Sequence, residues 1–208
     1  FTVQMAVMFL LALELGLKNG MIQPDECRSL TDQLLDCRNS MEQALELTKT
    51  VPSIVEKAID CPSLFYIGRG LDHALALEGS LKLKELSYLH SEAYAAGELK
   101  HGPIALVDEG QPVIIVVPTP RRPELHNKVL ANIQEVRARG AKTIVIAEEG
   151  DTSVDEFAEI VFRIPPIPTL YAPLLTVVPL QIFACELATV KGLDVDQPRN
   201  LAKSVTVE

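Results

Sequence analysis

Three charged residues share one stripe of a segment that is predicted to be helical, residues 72–90. Glu78, Lys82 and Glu85 are spaced i, i+4 and i+7, which places them within a narrow arc of a helical wheel. The same arc is predicted to carry the apolar residues Leu71, Ala74, Leu75, Leu81 and Leu89. The opposite, polar face is predicted to carry Asp72, Ser80, Lys84 and Ser87.

Charges within an apolar face are costly unless they are paired or used. A carboxylate in partly apolar surroundings has a raised pKa, which suits a general base. The alternative is an ion-paired helix surface, because Glu and Lys pair at these spacings. The pattern alone leaves both interpretations open.

A segment rich in glycine and small residues, 91–103, follows this helix and is predicted to be an active-site loop. It contains His101, which stands between Lys100 and a Gly-Pro pair. Histidine transfers protons near neutral pH. A histidine that caps a short helix is the alternative, and the residues alone favour it.

The end of the chain, residues 194–208, mixes apolar and charged residues, and Pro198 gives it a fixed bend. This composition predicts a tail that folds back over the sheet and places Lys203 in a cleft. Lysine can act as a cation, or as an amine that forms a Schiff base when its pKa is depressed. On chemistry alone, a surface lysine on a strapped-down tail is the favoured alternative.

The other reactive residues form no recognisable site, so no metal and no cofactor is expected. No Cys-x-x-Cys pair occurs, and this spread is typical of reduced thiols in a cytoplasmic protein: Cys27, Cys37, Cys61 and Cys185. The remaining histidines are predicted at the surface or at helix ends: His73, His90 and His126. No Ser-His-Asp order, P-loop or metal-binding histidine pair is apparent.

The elements that must position these residues alternate after Pro62. Apolar runs predict strands at 64–67, 113–117, 143–147 and 160–164. Helices are predicted at 72–90, 123–139 and 172–191. This alternation predicts a parallel sheet with helices on both faces and ligands at the carboxyl ends of its strands. The first 60 residues are predicted to be helical, with helices at 2–18, 24–48 and 51–59.

Bulk properties restrict the function further. The chain has 208 residues, of which 48% are hydrophobic, so it can bury a sizeable core. Its net charge of −9 argues against a nucleic-acid partner, which requires a basic surface. Residues 1–17 are apolar but contain Gln4 and Glu14 and are short for a bilayer span. We expect a buried helix, no membrane partner, and a chain that is a piece of a longer protein.

Three runs resemble the glucosamine-6-phosphate synthase family: LEGSLKLKE at 77–85, AGELKHGP at 96–103 and DQPRNLAKSVTVE at 196–208. The ending is the most specific, because other sugar isomerase (SIS) proteins generally lack it. The resemblance spans the chain and implies an α/β fold, a three-layer αβα SIS domain whose five-stranded, mostly parallel sheet is flavodoxin-like and preceded by helices. It implies that residues 1–60 belong to the end of a first SIS domain plus linker, 61–192 to a second SIS domain, and 193–208 to an active-site tail.

The resemblance also implies roles for individual residues. Glu85 resembles the general base that moves a proton between C1 and C2 of the sugar. His101 resembles a ring-opening histidine supplied by the neighbouring subunit of a homodimer. Lys203 resembles the lysine that engages the open-chain carbonyl. Supporting and pocket positions are matched by Glu78, Lys82 and Ala202.

The implied activity is conversion of fructose 6-phosphate and glutamine-derived ammonia into glucosamine 6-phosphate, the entry to hexosamine synthesis. The implied partners are a glutaminase domain and a first SIS domain with the main phosphate loops, both upstream of Phe1, so the chain alone is expected to be incomplete. Two alternatives stay open: an SIS-family enzyme that removes an amine from a phosphorylated sugar, and a non-catalytic module that senses phosphosugars.

Overall fold

The structure is a computed structural model that describes residues 1–55 and 60–201. It opens with α1 (Thr2–Lys18), α2 (Pro24–Leu45) and α3 (Val51–Val55). Pro24 starts α2 at a position where its missing N–H costs nothing. The helix predicted to end at residue 48 instead ends at Leu45 and tightens into a 3₁₀ turn. The predicted end of the third helix lies outside the described residues.

A five-stranded sheet forms the centre of the molecule, in the order β2-β1-β3-β4-β5. The strands are β1 (Ser63–Gly68), β2 (His90–Ala95), β3 (Pro112–Val116), β4 (Lys142–Glu148) and β5 (Ile160–Ile164). Every pairing is parallel. The predicted α/β class and the flavodoxin-like order are confirmed.

Strand β2 was not predicted from its residues, which were assigned to a helix end and a loop. It pairs with β1 from Ser63 opposite His90 to Gly68 opposite Ala95. The edge position explains the error. Only one β2 side chain, that of Ser91, is buried, so the strand lacks the continuous apolar run that marks the four other strands.

The three predicted layers are confirmed. The remaining long helices are α4 (Leu71–Ser87), α5 (Pro123–Arg137) and α6 (Ala172–Val190). Leu64 and Tyr66 of β1 face a core shared with α4 and α6. Phe65 and Ile67 face the opposite core, which α5 and the connection after β2 cover. Helix α4 and that connection therefore lie on opposite faces of the sheet.

Helix α4 approaches the sheet closely because Gly79 has no side chain. A Cβ atom at Gly79 would lie 3.0 Å from Cε1 of Tyr66 and 3.1 Å from Cδ2 of Leu180. Both contacts are tight, so the glycine sets the depth at which α4 packs between β1 and α6.

Among the described helices, α6 alone is long and apolar enough to cross a membrane. It also packs between α4 and the amino-terminal helices, and 67% of its apolar window is buried within the fold. Its hydrophobicity is therefore that of a core helix.

Candidate active site on the fourth helix

Helix α4 presents its faces differently from the sequence prediction. Its buried face consists of Leu75, Ala76, Gly79, Ser80, Leu83 and Ser87. Of the arc predicted to face the core, Leu75 and Leu89 are buried, but the rest points outward, and Leu71 and Leu81 are 64% and 44% exposed. The two serines tolerate burial because their hydroxyls are hydrogen-bonded, Ser80 to Ser91 at 3.0 Å and Ser87 to the Leu83 carbonyl at 2.7 Å.

The structure brings Glu78, Lys82 and Glu85 together on this outward arc; we call them the α4 trio. Nζ of Lys82 lies 2.5 Å from Oε2 of Glu85 and 3.9 Å from Oε1 of Glu78. The side chains of Glu78, Lys82 and Glu85 are 12%, 30% and 27% exposed. The trio is thus half-buried at the edge of an apolar surface, not immersed in solvent.

One oxygen of the trio has no hydrogen bond. Oε1 of Glu78 is buried, and its 3.9 Å separation from Lys82 makes an ion pair but not a hydrogen bond. A buried carboxylate oxygen without a donor is unfavourable and uncommon in folded proteins. The trio therefore has an unused acceptor, a cation and a second carboxylate within one helical segment, which can bind a polyhydroxyl compound and move its protons.

His101 does not join the trio within one chain. It ends a 3₁₀ helix, Leu99–His101, its side chain is 71% exposed, and its Nδ1 lies 2.8 Å from Oε2 of Glu98. The buried Leu99 anchors this turn in the core on the far side of the sheet from α4. The predicted loop 91–103 instead consists of five residues of strand β2, followed by turns and short 3₁₀ helices.

The carboxyl-terminal tail is described as far as Leu201; Ala202 and Lys203 lie outside the described residues. The tail crosses from the end of α6 to the end of α4, where the backbone N–H of Arg199 donates to the hydroxyl of Tyr88 at 2.6 Å. The guanidinium of Arg199 also lies over the Tyr88 ring, 4.1 Å from its centroid. Tyr88 is the C-cap of α4, three residues beyond Glu85.

Tyr88 and Arg199 were missed by the sequence analysis. They are 111 positions apart, and no periodicity or motif spacing links such distant residues. Tyr88 also adopts a left-handed backbone conformation, with φ of 57°, where Gly or Asn would be expected.

A second polar cluster lies after the carboxyl ends of β3 and β4 and includes His126. That histidine stands in the first turn of α5, in agreement with a predicted position at a helix end, but it is buried, at 5% exposed. Its Nε2 lies 2.7 Å from Oδ2 of Asp151, and the hydroxyl of Ser153 donates to Oδ1 of Asp151 at 2.5 Å. Ser153 and Asp151 thus both lie beside Nε2 of His126, whereas in a catalytic triad the serine and the carboxylate bind different ring nitrogens.

The electrostatics of this second cluster are those of a closed network. Burial alone would raise the pKa of Asp151, but the hydrogen bonds from Ser153 and His126 outweigh it and lower that pKa below its ordinary value. Beside it, Arg121 holds Glu148 through two hydrogen bonds, at 2.8 and 3.0 Å. Across residues 1–55 and 60–201, no group of three or more His, Cys, Asp or Glu side chains is arranged to hold a metal ion.

The sequence matches a known domain family and a set of enzymes. Residues 57–191 match the family described as the SIS domain. The chain is 54% identical, over its whole length, to glutamine–fructose-6-phosphate aminotransferase [isomerizing] of Corynebacterium efficiens, and the match covers 34% of that protein. The chain thus spans about a third of the length of the curated relatives it matches.

Solved structures agree with this similarity. The C-terminal domain of glucosamine-fructose-6-phosphate aminotransferase from Francisella tularensis superposes with a TM-score of 0.86 at 37% identity, over 95% of this chain and 55% of that one. A putative tagatose-6-phosphate ketose/aldose isomerase from Clostridium novyi NT superposes with a TM-score of 0.76 at 18% identity, over 88% of this chain and 50% of that one. The second likeness supports the fold alone.

Proposed function

The chain belongs to the SIS domain family, and on that premise we propose that it is the carboxyl-terminal isomerase portion of a glutamine–fructose-6-phosphate aminotransferase. The reaction converts fructose 6-phosphate and glutamine-derived ammonia into glucosamine 6-phosphate, the first step toward amino-sugar precursors. The observation that carries the proposal is the docking of the tail at the end of α4, beside the turn that bears Glu85.

The proposed roles follow from what each group can do. Glu85 is held by Lys82 but remains accessible, so it can accept a proton from C1 of the open-chain sugar and deliver it to C2. Oε1 of Glu78, which has no hydrogen bond, can accept one from a sugar hydroxyl. Ala202 and Lys203 follow Leu201 in the sequence, and the proposed roles are that Lys203 engages the sugar carbonyl and Ala202 lines the pocket.

We propose that a complete site includes a second copy of the chain. Leu99, two residues before His101, packs on one face of the sheet, and α4, which carries Glu85, packs on the other, which favours a site at which another subunit supplies the histidine. We therefore propose a homodimer in which His101 of one subunit opens the sugar ring at the partner's α4 trio. The exposed leucines beside the trio are suited to an interface: Leu71, Leu77 and Leu81.

Subunit mixing tests this arrangement in the full-length protein. Glu85→Gln and His101→Asn are each expected to abolish most of the activity, but co-expression of the two should restore it. Random pairing gives half mixed dimers, each with one intact site, so about a quarter of the wild-type activity is expected from statistics alone. Recovery below one per cent from well-folded mixed dimers would place both residues at the same subunit's site, or outside it.

The amino-terminal helices are proposed to contact the remainder of the protein. Helix α1 has one buried residue, Leu13, whereas Val3, Val7 and Met8 are more than half exposed. A helix so apolar on its outer side is expected to pack against another domain. We propose that residues 1–60 complete a first SIS domain and its linker, that 61–192 form the second, and that a glutaminase domain and the phosphate loops lie upstream. The proposed location is the cytoplasm.

The assay that tests the function is formation of glucosamine 6-phosphate from fructose 6-phosphate and glutamine by the full-length protein. We expect activity there and none in residues 1–208 alone, because the phosphate-binding part is proposed to lie upstream. A folded full-length protein without this activity would favour a deglycating isomerase or a phosphosugar-sensing module.

A further inference from the structure

Tyr88 is an anomaly at the end of α4. An aromatic residue in the left-handed region is sterically disfavoured, and this position at a helix end is usually taken by glycine. Backbone strain of this kind persists when the surrounding structure requires that side chain, and it concentrates at functional sites. The question is what the Tyr88 side chain does that glycine could not.

Its two contacts answer that question, because both are made to the tail. The phenol oxygen accepts the backbone N–H of Arg199 at 2.6 Å, and the ring supports the Arg199 guanidinium at 4.1 Å. The first contact fixes the main chain of the tail, and the second fixes the side chain that follows Pro198. Two different interactions thus converge on one residue, four positions before Lys203.

Local hydrogen bonds direct the carboxyl-terminal tail toward Tyr88. Gly192, with φ of 70°, ends α6, and the Asp194 carboxylate accepts the backbone N–H groups of Asp196 and Gln197 at 2.9 and 3.1 Å. These bonds bend the chain back toward α4, as Asx turns do. The tail is therefore ordered up to the Tyr88 contact by bonds that are independent of any ligand.

We propose that Tyr88 is a positioning residue, which anchors the tail through Arg199 beside the α4 turn that bears Glu85. The inference rests on the proposed function, in which the tail and Glu85 act on one sugar. Tyr88 touches no substrate in this account. Its strained backbone is retained because only a large side chain with a hydroxyl acceptor reaches the tail from the α4 C-cap.

The test uses the full-length protein with Tyr88→Gly, Tyr88→Phe and Arg199→Ala. Endoproteinase Lys-C cleaves after Lys203 but not after Arg199, and it releases residues 204–208, which mass spectrometry can time. We expect about tenfold faster release in Tyr88→Gly and Arg199→Ala, and about fivefold in Tyr88→Phe, which keeps the ring but loses the hydrogen bond. Arg139→Ala is the matched control, because that exposed arginine donates to the Glu135 carbonyl within its own helical turn, and no change is expected.

If Tyr88 had only a structural role, its substitution would lower the thermal midpoint of unfolding. A role as anchor of the tail predicts lower activity with little change in that midpoint. Tyr88→Gly should unfold within a few degrees of wild type, because glycine relieves the strained backbone, while kcat/KM for glucosamine 6-phosphate formation falls about tenfold. Unchanged peptide release in the three variants would overturn the anchor, whatever their activity. An inactive wild type would contradict the proposed function instead, and the proteolysis result would still decide the anchor.

Discussion

Among the described residues, residue type alone would rank two charged clusters in the wrong order as candidate active sites. The cluster at His126, Asp151 and Ser153 has the composition of a hydrolytic triad, yet both carboxylate oxygens of Asp151 already have partners. The α4 trio has the composition of an ordinary surface ladder, yet Oε1 of Glu78 is buried without a donor. Saturation of hydrogen bonds, rather than residue type, separates the structural cluster from the candidate site.

The difference has a physical basis. A buried group that is fully hydrogen-bonded stabilises the fold through its network and has no free donor or acceptor for a ligand. A buried acceptor without a partner is unfavourable until a ligand supplies the donor. The two clusters should therefore respond oppositely to substitution, one through folding and the other through catalysis.

The largest expected effect is on catalysis at the trio. Glu85→Gln in the full-length protein keeps the side-chain size but removes the proton acceptor, so we expect kcat to fall by about 10² or more. The free energy of unfolding should change by less than about 1 kcal/mol, because the lost ion pair with Lys82 is partly exposed. Steady-state kinetics and urea denaturation measure the two quantities, and a large loss of stability would show a structural role.

The next effect is on folding at the second cluster. Asp151→Asn should lower the free energy of unfolding by about 2 kcal/mol at pH 7, because a buried charged hydrogen bond to His126 is lost.

The pH dependence of that loss has a definite sign. The folded state lowers the pKa of Asp151, so its stabilisation is present above the ordinary carboxyl pKa and is lost as the pH falls through the lower folded value. The stability difference between wild type and Asp151→Asn should shrink as the pH falls below about 4. A difference that grows on acidification would contradict the assignment.

A smaller effect is expected at Oε1 of Glu78, which has no hydrogen bond. Glu78→Gln removes the buried charge but keeps an acceptor, so kcat/KM should fall about tenfold with a change in unfolding free energy below about 1 kcal/mol. The matched control is Glu42→Gln on α2, which is 61% exposed in its side chain and should change neither quantity. Full activity of Glu78→Gln would remove this residue from the site.

The smallest effect is expected at Ser153, and it tests whether the cluster with His126 and Asp151 is structural or is a catalytic triad. Ser153→Ala should lower the free energy of unfolding by about 1 kcal/mol and leave the activity unchanged, because its hydroxyl donates to the Asp151 carboxylate and makes only a longer contact, 3.4 Å, with Nε2 of His126. A fluorophosphonate probe, which labels activated serines, should leave Ser153 unmodified. Stoichiometric labelling at Ser153 would show that His126 can activate it after all.

The sequence was informative about the sheet and less so about the faces of its helices. Four strands are long apolar runs and were predicted, whereas β2 is a polar edge strand whose pairing with β1 only the tertiary fold reveals. The α4 trio was predicted from its spacing, but the prediction assigned part of the wrong face of the helix to the core. Leu71 and Leu81 were counted as core, although they are exposed here, and Ser80 and Ser87 are buried through their own hydrogen bonds.

The remaining features depend on contacts between distant segments. Nothing in the spacing of residues indicates that Arg199 meets Tyr88, or that His126 is buried against Asp151. The roles of Ala202 and Lys203 stay predictions.

The most direct test of the account is the ratio of kcat in Glu85→Gln to kcat in Asp151→Asn, measured side by side in the full-length protein. Glucosamine 6-phosphate formation would be followed at a temperature at which both variants are folded, and rates would be expressed per folded molecule. The account predicts a ratio of about 10⁻² or lower, with Asp151→Asn near wild type. A ratio near one, or a larger loss in Asp151→Asn, would contradict the assignment of the active site to the α4 trio.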